Sequence, residues 1–222
     1  MSFIEELEAF FADFSLSLSE ARDKLKGMPL AEKAFDLENC FHHLYFAMIS
    51  LGLVDVKNVL ELGTGFGETT AILSELFPAS IVYTLDLPEK DIKYQNGHAW
   101  RKKKKENMSQ FKQNIGRENI VFIPKNSFFL PSLEVPQKFE LIWVDGDHKF
   151  PAVAWDIMFA YNYLIKGGFM FIHDYRVNHD KNSQVKDTID YIASRIKEKV
   201  WYLPSNDKCL ASKTLCIRKG DR

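Results

Sequence analysis

The sequence predicts an α/β fold in which seven strands form a mostly parallel sheet, with helices on both faces and an antiparallel strand near the C-terminus. Three observations lead there. Short apolar runs ending in polar or acidic residues alternate with segments of helical periodicity along most of the 222 residues. Phe139-Glu140-Leu141-Ile142-Trp143-Val144 is nearly all apolar, as a parallel strand covered on both faces must be. The run Val59-Leu60-Glu61-Leu62-Gly63-Thr64-Gly65-Phe66-Gly67-Glu68 passes from an apolar strand, through glycines at alternate positions, into a helical pattern.

Taken in order, Ile4, Leu7, Phe10, Phe11 and Phe14 recur at helical spacing and predict an amphipathic helix over residues 3–14. Gly27-Met28-Pro29 interrupts the chain, and a second helix runs through Ala34, Leu37, Phe41, Leu44, Tyr45, Met48 and Ile49 to Gly52. Residues 1–53 therefore read as an N-terminal helical extension, either a cap over the substrate or a surface that packs on the sheet edge or on a second copy of the chain. Residues 54–222 read as the sheet domain. His42 and His43 read as helix-surface or edge residues.

Behind the glycine turn, a helix through Thr69, Ala71, Ile72, Leu73, Leu76 and Phe77 is stopped by Pro78. Residues 80–85 form the second strand, ending at Asp86, and 119–123 the third, followed by Asn126-Ser127. Between them, 88–110 is too polar and long for a plain connection; Arg101-Lys102-Lys103-Lys104-Lys105 is either the solvated start of a helix or a lid over an anionic substrate. The fourth strand ends in Asp145-Gly146-Asp147-His148. A helix through Val153, Ile157, Tyr161 and Leu164 is expected to be capped by Lys166-Gly167-Gly168. Phe169-Met170-Phe171-Ile172 is the fifth strand, ending in His173-Asp174-Tyr175. A last helix (Val185, Ile189, Ile192, Ile196) leads to two antiparallel strands at 200–203 and 215–218, joined near Asn206-Asp207.

Composition narrows the function classes. With 29 basic and 30 acidic side chains the net charge is −1, so no overall field attracts nucleic acid or an anionic membrane. Cys40, Cys209 and Cys216 form no CxxC pair and are odd in number, which fits reduced thiols in a cytoplasm. Glu5, Glu6 and Glu8 stand where a signal peptide would be basic, and no apolar run reaches membrane-spanning length. The expectation is a soluble, cytoplasmic protein.

The glycine turn and the strand ends are the candidate site. Gly63, Gly65 and Gly67 let the backbone approach a ligand closely, and the helix behind them presents unpaired N–H groups. A dinucleotide fingerprint needs glycine at the position of Glu68, whose carboxylate opposes a pyrophosphate there. Asp86 lies about 20 residues beyond the glycines, the distance at which an acid accepts hydrogen bonds from ribose hydroxyls. Two neighbouring strands also end in acid and imidazole, with Asp145, Asp147 and His148 on one and His173 and Asp174 on the other. Such a set suits Mg²⁺ through its carboxylates, or Mn²⁺, Fe²⁺ or Zn²⁺ through its histidine. The plainer alternative is a polar turn that caps a helix, next to a core histidine.

Acid-x-Gly-x-Gly-x-Gly, here Glu61 to Gly67, resembles motif I of the class I S-adenosylmethionine-dependent methyltransferases, whose fold is Rossmann-like. Joined to Asp86, Trp143-Val144-Asp145-Gly146-Asp147-His148 and Gly167-Gly168-Phe169-Met170-Phe171-Ile172-His173-Asp174-Tyr175, it is similar to their metal-dependent O-methyltransferase type. Within that type it looks most like the group of macrolide-sugar and aminocoumarin-sugar O-methyltransferases and cephalosporin-hydroxylase-like proteins. The likeness spans about residues 55–218. It implies S-adenosylmethionine held by Glu61, Gly63, Thr64, Gly65, Gly67, Asp86, Asn126, Ser127 and Asp145. It also implies Mg²⁺ or Mn²⁺ at Asp145 and Asp174, with His173 standing where that group has an acid. Tyr175 replaces the asparagine of catechol-type relatives, which disfavours a catechol.

The reaction so implied is methyl transfer to a hydroxyl oxygen of a small molecule. Asp145 would hold the metal and the oxygen. His148, three residues on, would take the proton, with Asp147 and then Lys149 as alternative bases. Two rival readings are a nicotinamide-dependent oxidoreductase using the same glycine turn, and a non-catalytic methyltransferase-like scaffold with the N-terminal helices as its interface, such as a homo-oligomer contact.

Overall fold

The strands β1 (Asn58–Leu62), β2 (Ile81–Asp86), β3 (Ile120–Pro124), β4 (Phe139–Val144), β5 (Leu164–Tyr175), β6 (Val200–Tyr202) and β7 (Lys213–Arg218) form one sheet in the order β3-β2-β1-β4-β5-β7-β6. The structure is a computed structural model that describes residues 3–28, 30, 42–91, 106–175, 184–203 and 213–220. β7 is antiparallel to both β5 and β6, and the remaining pairs are parallel. This is the seven-stranded, Rossmann-like arrangement the sequence predicts.

Alternate residues of the central strands feed two separate cores, the period of two expected of a pleated strand. On one face Val59, Leu141, Trp143, Phe169, Phe171 and Cys216 are buried beneath the N-terminal helices and the helix after the glycine turn. On the other face Leu60, Leu62, Ile142, Val144, Met170, Ile172 and Leu215 pack against the helices that follow β4 and β5. Each large apolar side chain so buried contributes about 1.5–3 kcal/mol.

The N-terminal helices are α1 (Phe3–Ala12), α2 (Leu18–Leu25) and α3 (His42–Ser50). They complete the first core instead of standing apart from it. The ring of Phe10 meets Tyr45 at 5.6 Å and Trp201 at 6.3 Å, and Phe14 meets Phe169 at 5.6 Å. Helix α3 is buried continuously from His43 to Ile49, as a helix apolar all round must be, so His43 is a core residue and not a surface one. Helix α2 is absent from the expectation. Its sequence signal was a capping box, with Ser17 accepting from the Ser19 N–H at 3.1 Å and Glu20 accepting from the Ser17 N–H at 3.2 Å. The part of the expected second helix before residue 42, Cys40, Cys209, the basic run 101–105 and the turn at Asn206-Asp207 lie outside the described residues.

The further α-helices among the described residues are α4 (Glu68–Leu76), α5 (Met108–Ile115), α6 (Ala152–Tyr163) and α7 (Val185–Ala193). Helix α6 ends before the glycines expected to cap it, and β5 begins at Leu164. The terminal carbonyls of Tyr161 and Leu164 accept instead from Lys219 Nζ at 2.9 and 2.7 Å. The glycine pair is free to bond the end of β7: Gly167 donates to the Lys219 carbonyl and Gly168 accepts from the Lys219 N–H. No helix among the described residues is long and apolar enough to cross a membrane.

Candidate functional site

The strand order reverses between β1 and β4, and ligands of open α/β sheets lie at the carboxyl ends of the strands beside such a point. There β1 and β4 run in register, with Leu62 beside Val144, and the Asp145 N–H donates to the Leu62 carbonyl at 2.8 Å. Gly63 follows with φ 100°, so close to β4 that a Cβ would fall 2.1 Å from the Asp145 carbonyl oxygen. Only glycine satisfies both conditions.

A cavity of about 650 Å³ opens over these ends. Gly63, Thr64, Gly65, Asp86, Asn126, Ser127 and Asp145 of the expected cofactor set line it, as do Asp147, His148, His173 and Asp174. Residues of both constellations thus line one cavity. Asp86 is oriented by the Gly65 N–H at 3.1 Å and the Leu87 N–H at 2.7 Å. Asn126 caps the short 3₁₀ turn Ser127–Ser132 by accepting from the Phe128 N–H at 2.9 Å. Glu68 stands on the wall at the start of α4, where it opposes a phosphate as the sequence predicts.

Glu61 and Gly67 are not on that wall. Glu61 is fully buried, and one carboxyl oxygen accepts from Thr70 and from Thr84, the latter at 2.6 Å. Burial pushes its pKa up to about 8 against the opposing pull of those two hydroxyls, so it is a protonated girder at neutral pH and not an anion facing a ligand. A Cβ on Gly67 would lie 2.8 Å from Ile115 and 3.1 Å from Asn114, so this glycine serves the packing of α5 against the turn.

The acid and imidazole residues form a closed ring of contacts. His148 Nδ1 lies 3.0 Å from Asp174 Oδ2 and its Nε2 3.5 Å from Asp145 Oδ1; His173 Nδ1 lies 3.1 Å from Asp145 Oδ1 and 3.5 Å from Asp174 Oδ1. Asp174 is held at φ 60°, a left-handed conformation that non-glycine residues adopt sparingly and often at functional sites. The carboxylates of Asp145 and Asp174, by accepting from and attracting the charged imidazole, raise the His148 pKa to about 9, where the sequence reading expected a near-neutral base. Burial alone would raise Asp145, but the charges and hydrogen bonds of His173 and His148 outweigh it and hold the carboxyl below its ordinary range. Asp147 accepts from the Lys149 N–H at 2.9 Å, stabilising its turn.

This donor set as arranged does not fit a divalent cation. Asp145 Oδ1 and both oxygens of Asp174 face imidazole nitrogens, and among the described residues no group of three or more His, Cys, Asp or Glu is disposed to hold a metal ion. What the ring shows instead is an imidazole set between two carboxylates, held in its charged form at neutral pH and lining the cavity.

Two supporting residues escaped the sequence reading. Asn114 of α5 is buried and donates from Nδ2 to the Phe66 carbonyl at 2.9 Å, gripping the glycine turn, while Gln110 donates to its Oδ1 at 2.9 Å. His42 stacks on Trp143 at 4.8 Å, and its Nε2 lies 3.4 Å from the hydroxyl of Thr69 on the cavity wall. An exposed-looking His in a helical pattern carries no signal of either contact.

A family model described as "Methyltransferase domain" matches residues 60–175, more than half of the chain. The uncharacterized protein R132 of Acanthamoeba polyphaga mimivirus is 29% identical over 90 residues; the match spans 39% of this chain and only 40% of that protein. Among solved structures, a putative O-methyltransferase from Klebsiella pneumoniae superposes with a TM-score of 0.63 at 15% identity, over 97% of this chain and 98% of the other. The O-methyltransferase TomG from Streptomyces achromogenes, involved in tomaymycin synthesis and solved in complex with SAM, gives 0.57 at 16% identity over 96% of each chain. At such identities the likeness shows a shared fold.

Proposed function

We propose, from the premise that this chain belongs to the methyltransferase domain family, that it transfers a methyl group from S-adenosylmethionine to a hydroxyl oxygen of a small molecule. The observation that carries this reading is one cavity shared by the glycine turn with Asp86 and by the ring of Asp145, His148, His173 and Asp174. The residues that line the cavity support this cofactor: the glycine turn leaves room for a close-lying ligand, Asp86 could accept from ribose hydroxyls, Asn126 and Ser127 offer polar groups to an adenine, and a wall carrying Glu68 suits a cation better than a pyrophosphate.

When bound, the cofactor supplies an electrophilic methyl carbon on a sulfonium. The chain's own part is to hold the acceptor oxygen in line with that carbon and to take its proton. In that transfer the methyl carbon would pass from sulfur to the acceptor oxygen, leaving a neutral thioether, and neutral His148 would take the hydroxyl proton. Asp174 holds that imidazole through Nδ1 at 3.0 Å, and its charge together with that of Asp145, 3.5 Å from Nε2, stabilises the imidazolium it becomes. The carboxylates of Glu68, Asp86, Asp145, Asp147 and Asp174 face the cavity with Lys125, which favours a neutral or cationic acceptor over the anionic one a basic lid would serve.

Thermal unfolding with S-adenosylhomocysteine, and separately with NADH, tests the cofactor. A ligand at 100 times its Kd adds about 2.7 kcal/mol, a rise of several degrees in a domain of this size. A shift with adenosylhomocysteine alone supports the reading and leads to a screen of hydroxylated acceptors. A shift with NADH alone overturns it.

A further inference from the structure

We propose that His42, from the N-terminal helix α3, is a positioning residue that sets the imidazole of His173 against Asp145 and ties that half of the cavity to the glycine-turn half. Three rings form one cluster behind the cavity wall: His42 lies on Trp143 with centroids 4.8 Å apart and planes at 25°, His42 meets His173 edge-on at 5.6 Å and 70°, and Trp143 meets His173 at 5.4 Å and 46°. Trp143 is itself fully buried two residues before Asp145, so it cannot shift without moving β4. Among the ring contacts of His173 are thus one fixed by the sheet and one supplied by α3.

The contact is made by ring faces and edges. His42 Nδ1 has no hydrogen-bond partner among the described residues, and burial holds the imidazole neutral. Its one polar contact within the described residues is through Nε2, 3.4 Å from Thr69 Oγ1 at the first turn of α4. His173, by contrast, points Nδ1 at Asp145 Oδ1, and an ionised carboxylate accepts only, so this nitrogen carries the proton. Removing the His42 ring leaves space beside His173 into which that imidazole can turn, which would release Asp145 from one of its two imidazole partners. A flat apolar ring at position 42 keeps the support and loses only the Thr69 contact. The N-terminal helices thus do more than fill the core: one of their side chains sets the geometry of the ring around His148.

This consequence for catalysis rests on the methyl-transfer reading, but the positioning itself is measurable without any acceptor. Histidine-selective ¹⁵N labelling of the full chain, with His173→Gln used to assign its resonances, reports which nitrogen of His173 carries the proton. The expected result is a protonated Nδ1 in the wild type and in His42→Phe, and loss of that signature in His42→Ala. Retention of the signature in a folded His42→Ala overturns the proposal, as does its equal loss in His42→Phe, which would make the histidine's own nitrogens and not its ring the cause. Adenosylhomocysteine titration of the same samples is the separate readout of the methyl-transfer reading: failure of the wild type to bind overturns that reading and leaves the His173 result to stand on its own.

Discussion

His148 Nδ1 and Asp174 Oδ2 lie 3.0 Å apart at the ends of β4 and β5, and Asp145 Oδ1 lies 3.5 Å from Nε2 of the same imidazole. Two carboxylates around one imidazole favour the charged form, which is why its pKa stands near 9. The sign of the pH dependence follows. The stabilising effect of this pairing is fully present below the unfolded-state value near 6.5 and fades as the pH rises through about 9. Turnover behaves in the opposite way, because a base must be neutral to accept a proton. Methyl transfer is expected to rise with pH towards a plateau beginning near 9. Asp174→Asn, which removes one of the two charges, is expected to move the rise to lower pH. A rate–pH profile of the two proteins checks this, and a profile unmoved by the substitution would remove His148 from the role of base.

Gly63→Ala is predicted to be among the most damaging single changes. It combines a backbone at φ 100° with a Cβ placed 2.1 Å from a main-chain oxygen of β4, which cannot swing aside as a side chain can. The expected cost is at least about 2 kcal/mol together with loss of adenosylhomocysteine binding. Gly27→Ala is the control, since Gly27 also has positive φ, at 80°, but a Cβ there meets nothing within 4 Å among the described residues. Denaturant unfolding of both variants separates the steric term from the conformational one.

Glu61 makes stability fall with rising pH, the reverse of the usual carboxylate. Its carboxyl is protonated in the folded protein up to about pH 8 but ionises near 4.5 once unfolded. Stability from this group is complete below 4.5, declines between 4.5 and 8 by at most about 1.4 kcal/mol per pH unit, and is gone above that. Glu61→Gln imitates the protonated form without the titration. The variant is expected to lose less stability than the wild type between pH 5 and 9 and to melt higher at the alkaline end. Parallel melting curves across that range decide it.

Most of the sheet was legible in the sequence because burial on both faces leaves unbroken apolar runs such as 139–144 and 169–172, and because a strand that meets a glycine turn must stop there. The wall of the site was legible for the same reason: acids and histidines immediately after apolar strands have one edge of the sheet to occupy. Side-chain direction was not. Glu61 belongs to the motif but lies inward between β1 and β2, where it meets Thr70 and Thr84, and the spacing of the glycines says nothing of that. The helix break expected at Gly167-Gly168 failed because Lys219, some fifty residues later, supplies the cap. His42 is a residue whose role depends wholly on what packs against it, so a helical pattern could not distinguish it from a surface position.

Asp86 and Asn114 permit a final separation of binding from support. Asp86 is the proposed partner of the ribose hydroxyls, and charge-assisted hydrogen bonds of this kind contribute about 1.5–3 kcal/mol. Asp86→Ala is expected to weaken adenosylhomocysteine about 10- to 100-fold, with the loss confined to ligands that carry a ribose diol. Asn114 does not itself line the cavity; from behind it donates to the carbonyl of the lining residue Phe66 at 2.9 Å and so keeps the turn in the shape a ligand meets. Asn114→Ala leaves that carbonyl without its donor and is expected to weaken adenosylhomocysteine and its 2′,3′-dideoxy analogue by the same factor. Calorimetric titration of both ligands against both variants discriminates the roles. If Asp86→Ala weakens the two ligands equally, its carboxylate supports the turn through the Gly65 N–H and does not read the ribose.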